Sequence, residues 1–293
     1  MSLEICVLGS GSGGNSTVVR SPWGCVLVDA GFGPRATAQR LHGTGVDVEH
    51  LAAIVLTHLD TDHFKTHWLR TIVKQKIRLF CHRKKVKQIV GSPEARDMFL
   101  RVKGSESLIE LVNGFDEAAG FEPVKGVRME PLPLAHDEAG SHGFVISCDG
   151  YRVGYATDLG HVPEELIERF CGADAVLLEA NYDPEMEQNS PRPYFLKQRI
   201  MGGKGHLSNG QALSALQSIL DRTHQRQGAE KLPRHIVLMH RSRQCNCPKL
   251  VEGFFKQDER IARVLTLAHQ AQRTPWLSVR RQKNVQTQMR LTF

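Results

Sequence analysis

Residues 57 to 67 read Thr-His-Leu-Asp-Thr-Asp-His-Phe-Lys-Thr-His, which puts three histidines and two aspartates within eleven positions. They follow directly on the apolar run Ala52-Ala53-Ile54-Val55-Leu56. Imidazole and carboxylate together form the donor set of divalent-metal sites, and α/β proteins gather such groups in loops at the carboxyl ends of strands. Metal-assisted chemistry is the expectation, provided the rest of the chain supplies partners.

The elements that must hold this stretch can be read from periodicity. Residues 5–8, 17–19, 25–28, 53–57 and 77–80 have the short β-branched runs of strands, and 34–41, 64–74 and 84–101 have helical patterns. In the second half, 144–148 and 151–156 flank Asp149-Gly150, a two-residue type I′ hairpin signal, and the strand candidates 175–178 and 236–239 are separated by a helical pattern over 211–224. No proline- or serine-rich linker divides the halves, and neither an internal repeat nor a low-complexity tract is visible. One layered domain over 1–270, followed by a basic extension over 271–293, is the economical organisation.

A chain of 293 residues with 41% apolar composition can bury a substantial core. It has no uninterrupted apolar stretch of the roughly 18 residues a membrane span needs, and Glu4 and a glycine-rich turn stand where a signal peptide would be basic and then apolar. The seven cysteines are scattered, without a Cys-x-x-Cys pair, which argues against a disulfide framework or zinc ribbon. A soluble cytoplasmic protein is expected. The net charge of +7 is uneven: residues 70–103 carry eleven Lys or Arg against Glu94 and Asp97, and 271–293 carry five against none. Such runs either simply face water or bind a polyanion, and composition leaves both readings open.

Gly9-Ser10-Gly11-Ser12-Gly13-Gly14 matches the dinucleotide pattern G-x-G-x-x-G after a strand. That fingerprint needs a helix at the last glycine to hold a pyrophosphate, whereas the chain continues Asn15-Ser16-Thr17-Val18-Val19, which is strand-like. A glycine-rich hairpin is the better expectation.

His58-x-Asp60-x-Asp62-His63 resembles the His-x-His-x-Asp-His signature of the metallo-β-lactamase superfamily, with aspartate in place of the second histidine. Val28-Asp29-Ala30-Gly31, Leu134-Ala135-His136-Asp137, Ala156-Thr157-Asp158 and Leu238-Met239-His240 look like the other motifs of that superfamily, in order. Within it, Ser10-Gly11-Ser12-Gly13-Gly14-Asn15, Leu178-Glu179-Ala180-Asn181-Tyr182-Asp183, Leu196-Lys197-Gln198-Arg199-Ile200 and Gly205-His206-Leu207-Ser208-Asn209 resemble the YycJ-type nuclease-like hydrolases over nearly the whole chain. The run from Gly205-His206-Leu207-Ser208 to His240-Arg241-Ser242 is also similar to the end of the tRNase Z domain, a phosphodiesterase.

The resemblance implies a four-layer αββα sandwich and a metal-dependent phosphodiesterase, most directly a nuclease acting on DNA or RNA through a hydroxide shared by two metals. Carried over position by position, it implies that His58, Asp60 and His136 hold one divalent ion and that Asp62, His63 and His240 hold the other, with Asp158 bridging. Zn²⁺ or Mn²⁺ is expected, and Fe fits the same donors. Asp62 and His206 are the expected catalytic residues, His206 as proton donor to the leaving oxygen, and Asp29 is expected to orient a ligand histidine. His67, His82, His142, His161 and the pair Cys245 and Cys247 have no motif behind them and read as surface or structural. The alternatives are a small-ester, thioester or cyclic-nucleotide hydrolase on the same scaffold, and a non-enzymatic metal-containing nucleic-acid-binding or redox protein.

Overall fold

The computed structural model describes residues 3–279. The first half of the chain builds one sheet from β1 (Glu4–Gly9), β2 (Ser16–Ser21), β3 (Gly24–Val28), β4 (Leu51–Val55), β5 (Arg78–His82) and β6 (Val112–Phe115). The second half builds another from β7 (Phe121–Val124), β8 (Val127–Leu134), β9 (Ser141–Cys148), β10 (Tyr151–Ala156), β11 (Ala175–Glu179), β12 (His235–Met239) and β13 (Leu265–Leu267). The last strand, β14 (Leu277–Ser278), returns to the first sheet beside β1. Each half opens with antiparallel hairpins and then runs parallel, from β3 to β6 and from β10 to β13.

Side chains along a strand point alternately to opposite faces, and here both faces are buried. Val26 and Val28 of β3 face the core between the sheets, while Cys25 and Leu27 face the outer helices. In β12, Val237 and Met239 face inward and Ile236 and Leu238 outward. Trp68, Leu69 and Ile72 from the helix Trp68–Gln75 cover one sheet, and Ala212, Ala215, Leu216, Ile219 and Leu220 from the helix Asn209–Gln227 cover the other. Helix, sheet, sheet, helix is the αββα sandwich.

Several elements differ from the periodicity reading. The helix expected over 64–74 begins only at Trp68, because residues 60–67 are held in turns by His63 and Phe64 amides donating to the Asp60 carbonyl. The helix expected over 84–101 is two, Val86–Val90 and Pro93–Arg101: Gly91-Ser92-Pro93 breaks it, and the Ser92 hydroxyl caps the second by accepting from the Ala95 amide. β8 escapes a pattern search because it contains Pro131 and Pro133. Both pair only with β9, beyond the reach of β7, so their missing N–H groups face an unpaired edge. Asp149 and Gly150 turn the β9–β10 hairpin with φ of 50° and 80°, as a type I′ turn requires. Gly9–Gly14 leads by a turn into β2, antiparallel to β1, with no helix. Residues 274–279 run along β1, and Val279 is fully buried in the inter-sheet core. The rest of the basic terminus, 280–293, lies outside the described residues.

Candidate metal centre and active site

The parallel strands of both sheets deliver their carboxyl ends to one cleft, which collects the strand-end residues from distant parts of the chain. Asp29 follows β3, His58 to His63 follow β4, His136 follows β8, Asp158 follows β10, Glu179 ends β11 and His240 follows β12. Asp29, Asp158 and His240 adopt left-handed backbone conformations with φ of 60°, 57° and 49°. Non-glycine residues rarely do so, and strained conformations of this kind concentrate at functional sites.

Seven of the side chains singled out in the sequence converge here. Donor atoms of His58, Asp60 and His136 lie within 4.8 Å of one another, as do those of Asp62, His63 and His240 and those of His58, His63 and Asp158. Asp158 stands between the groups: its Oδ2 is 3.0 Å from His63 Nε2, and its Oδ1 is 3.1 Å from His240 Nδ1 and 3.9 Å from His136 Nε2. Asp62 Oδ2 is 3.4 Å from His240 Nε2 and 3.7 Å from His63 Nε2. Asp60 is the outlier, with its side chain 52% exposed and Oδ2 3.9 Å from His58 Nε2.

The hydrogen bonds around these imidazoles fix which nitrogen is free. His63 Nδ1 donates to Asp29 Oδ2 at 2.8 Å, and His136 Nδ1 donates to the Gly205 carbonyl at 3.0 Å. Their Nε2 atoms are therefore turned to carboxylate oxygens, where either a proton or a cation must lie between them. Against its burial, Asp158 and Asp29 raise the His63 imidazole well above its ordinary range. His58 makes the same point differently, since its Nδ1 meets Thr57 Oγ1 at 2.9 Å while its buried Nε2 has no hydrogen-bond partner among the described residues. Burial, reinforced by the neighbouring His63, holds the His58 imidazole well below its ordinary range, so it is neutral and available as a ligand. His240 is buried too, yet Asp158, Asp62 and Glu179 raise it to about 10. Asp158, against its burial, is held well below the carboxylate range by His240 and His63. A cavity that concentrates protons this strongly is one from which a divalent cation can displace them. The residues present fit a pair of divalent ions.

Sequence reasoning assigned no role to four supporting groups, although Glu179, Asn15 and Arg199 lie in the motifs quoted above. Glu179, fully buried, lies 2.8 Å from His206 Nδ1 and 2.9 Å from His240 Nδ1 through one oxygen, and its other oxygen accepts from the amides of Leu159 and Leu207. Its sequence signals were its place in the motif Leu178-Glu179-Ala180-Asn181-Tyr182-Asp183 and at the end of an apolar strand, and neither gave it a role. Asn15 places its side-chain nitrogen 2.9 Å from His63 Nε2, while its oxygen accepts from Ser10 Oγ and the Gly11 amide. The glycine-rich turn is thus a brace for the metal loop. Arg192 and Arg199 line the same cavity of about 270 Å³ as Asp60, Asp62, His136, Asp158, His206 and His240. Arg192 is anchored by Glu187 and Ser242, and Arg199 by Asp137. His206 sits at this cavity, whereas His161 is tied to the Gly203 carbonyl and does not line it. His82 and His142 gather elsewhere, around Glu117.

A family model described as "Beta-lactamase superfamily domain" matches residues 25–236. Exodeoxyribonuclease YycJ of Bacillus anthracis is 25% identical over 254 residues, which span 85% of this chain and 86% of that protein. The crystal structure of the metallo-beta-lactamase fold protein YhfI from Bacillus subtilis superposes with a TM-score of 0.64 at 14% identity, covering 94% of this chain and 100% of that one. Human tRNase Z, short form, superposes with a TM-score of 0.57 at 18% identity, covering 92% and 98%. With its two sheets, flanking helices and His/Asp cluster, this chain belongs to the beta-lactamase superfamily, in the metallo-β-lactamase fold.

Proposed function

We propose that the protein is a metal-dependent phosphodiesterase that hydrolyses nucleic acid. The observation that carries this reading is one cavity lined by Asp60 and His136 of one His/Asp group, Asp62 and His240 of the other, Asp158 between them, the imidazole of His206 and two anchored arginines. His58, Asp60 and His136 would hold one ion, Asp62, His63 and His240 the other, and Asp158 both. Two divalent cations bound there would polarise phosphoryl oxygens and lower the pKa of an attacking water.

The chain's own groups supply the rest. Burial disfavours a charged His206, but Glu179 outweighs it and raises the imidazole above its ordinary range. With Nδ1 donating to Glu179, the second proton of His206 sits on Nε2, the atom left to protonate a leaving alkoxide. Arg192 and Arg199, each fixed by a carboxylate, can pair with phosphate oxygens and orient the diester. Tyr194 and Phe195 are 76% and 73% exposed at the start of the helix Tyr194–Met201, whose Leu196, Arg199 and Ile200 line the cavity. Exposed aromatics beside a charged groove suit stacking on bases.

The charged lining counts for this reading against a small-ester hydrolase, whose pocket would be largely apolar. The nuclease relatives support a nucleic-acid substrate, and the basic run after β5 and the terminus over 280–293 would extend the contact to flanking phosphates. No helix among the described residues is long and apolar enough to cross a membrane. The seven cysteines are free, as in a reducing compartment, and on that ground we place the enzyme in the cytoplasm. The deciding experiment is a metal-supplemented assay on single- and double-stranded DNA, RNA and bis(p-nitrophenyl) phosphate. Cleavage of a nucleic acid supports the proposal; hydrolysis of the small diester or of carboxylic esters alone sinks it.

A further inference from the structure

His82 at the end of β5, His142 at the start of β9 and Glu117 in the turn after β6 form a second gathering of metal-binding groups, and none of them belongs to the catalytic cluster. Glu117 Oε1 lies 3.2 Å from His82 Nε2 and 3.3 Å from His142 Nε2. Both imidazoles are buried, with their rings 4.8 Å apart and 15° from parallel. Ligands on a tetrahedral ion with bonds of 2.0–2.1 Å stand about 3.3 Å apart, which matches the two carboxylate edges.

Those spacings alone would also describe two imidazoles donating to one carboxylate. The other ring nitrogen of His142 argues against that. Among the described residues its only partner is the Thr57 carbonyl, 3.4 Å away, and since a carbonyl only accepts, the tautomer that serves it carries its proton on Nδ1. Nε2 then turns its lone pair to Glu117, an oxygen that also only accepts. A cation between them would satisfy both. With a metal ion there, His142 would repeat the pattern expected of His136, with Nδ1 on a backbone carbonyl and Nε2 free to ligate. A cavity of about 20 Å³ adjoins both imidazoles, room for one water as a further ligand.

We propose that His82, Glu117 and His142 form a third metal site, which takes a zinc-class transition-metal dication with water as the fourth ligand. The site fastens β5 of one sheet to β9 of the other, at the edge of the catalytic cleft. It also touches the catalytic loop: the Thr57 carbonyl accepts from the His142 amide at 3.1 Å, and the Thr57 hydroxyl contacts His58 Nδ1 and Asp29. The third ion therefore positions the loop that carries His58 to His63 and performs no chemistry itself.

The test is metal content after exhaustive dialysis against Zn²⁺-buffered solution. Glu117→Gln and His142→Ala should each hold about one ion fewer per chain than the wild type. Asp158→Asn, which strips the catalytic pair, should keep about one, and adding Glu117→Gln should remove it. With Co²⁺ as probe, His142→Ala should lose one set of visible absorption bands while the set removed by Asp158→Asn persists. The Glu117 side chain is 44% exposed, so Glu117→Gln has little reason to unfold, and circular dichroism checks His142→Ala. Equal metal content in the wild type and both single variants, with all three folded, overturns the third site. That outcome leaves the catalytic reading intact, since it is judged on ions that Asp158→Asn removes.

Discussion

His63 Nδ1 and Asp29 Oδ2 lie 2.8 Å apart, both fully buried, and Asp29 holds the pose from a left-handed backbone with φ of 60°. The same carboxylate accepts from the Thr57 amide and hydroxyl, so one residue after β3 fixes the first turn of the loop after β4. Outer carboxylates that orient a ligand histidine typically change metal affinity by about 10–100-fold when removed. Asp29→Asn should therefore weaken Zn²⁺ binding by about that factor, measured by chelator competition. Unchanged affinity would show that His63 keeps its orientation without Asp29.

His206 and Glu179 should behave as a unit. His206→Ala is expected to slow cleavage of an oligonucleotide by about 10²–10⁴-fold, because an alkoxide leaving group needs a proton. The loss on bis(p-nitrophenyl) phosphate should be far smaller, since nitrophenolate departs unprotonated. The pH dependence follows from the raised affinity of His206 for its proton. Activity that needs the imidazolium persists through neutral pH and falls as pH rises through the raised value, above the ordinary 6.5. Glu179→Gln should move that alkaline limb to lower pH. Equal losses on both substrates would remove His206 from the acid role.

Asp60 replaces the histidine usual at its place in the motif and adds a negative charge beside Asp62 and Asp158. A less positive pair of ions is a weaker Lewis acid, and an oxygen-richer site accepts harder metals. The wild type should work into the alkaline range and accept Mn²⁺ at least as well as Zn²⁺, whereas Asp60→His should shift its pH profile downward and its preference to Zn²⁺. Identical profiles in the two proteins would mean that Asp60, half-exposed as it is, does not reach the ion.

Gly31 is a steric requirement of the metal loop. A Cβ there would stand 1.8 Å from the Asp62 carbonyl, which accepts from the Asn15 amide. Gly31→Ala should push the Asp62–His63 turn outward, cost about 1–3 kcal/mol in urea unfolding and lower metal occupancy. Wild-type stability with full occupancy would contradict this.

The basic segments can be tested separately. Deleting from residue 271 would remove β14 and the buried Val279, so the informative truncation is 280–293, which takes away Arg280, Arg281, Lys283 and Arg290. Each phosphate that the truncated protein no longer neutralises should lower the log–log salt slope of oligonucleotide binding by about 0.9. Neutralising Arg83, Lys84 and Lys85, at the carboxyl end of β5, should lower it further. An unchanged slope in both would mean these charges only face water.

Much of the site was legible in the sequence because its residues sit at a position that sequence marks well, the end of an apolar run. His58, Asp62, His63, His136, Asp158 and His240 each follow such a run or the turn just after it, and strand direction carries all of them to the same edge of the sandwich. Asp149-Gly150 was equally legible, because a type I′ turn leaves few alternatives to those residues. Where a residue's role depends on what packs beside it, sequence was silent. Glu179 joins His206 to His240 across 27 and 61 positions, and Asn15 reaches His63 across 48. His82 and His142 looked like isolated histidines because they meet only where β5 of one sheet approaches β9 of the other, with Glu117 between them. Local pattern records burial and turn chemistry, which act over a few residues. Convergence of side chains from two sheets is set by long-range packing and strand order, and only the folded chain displays it.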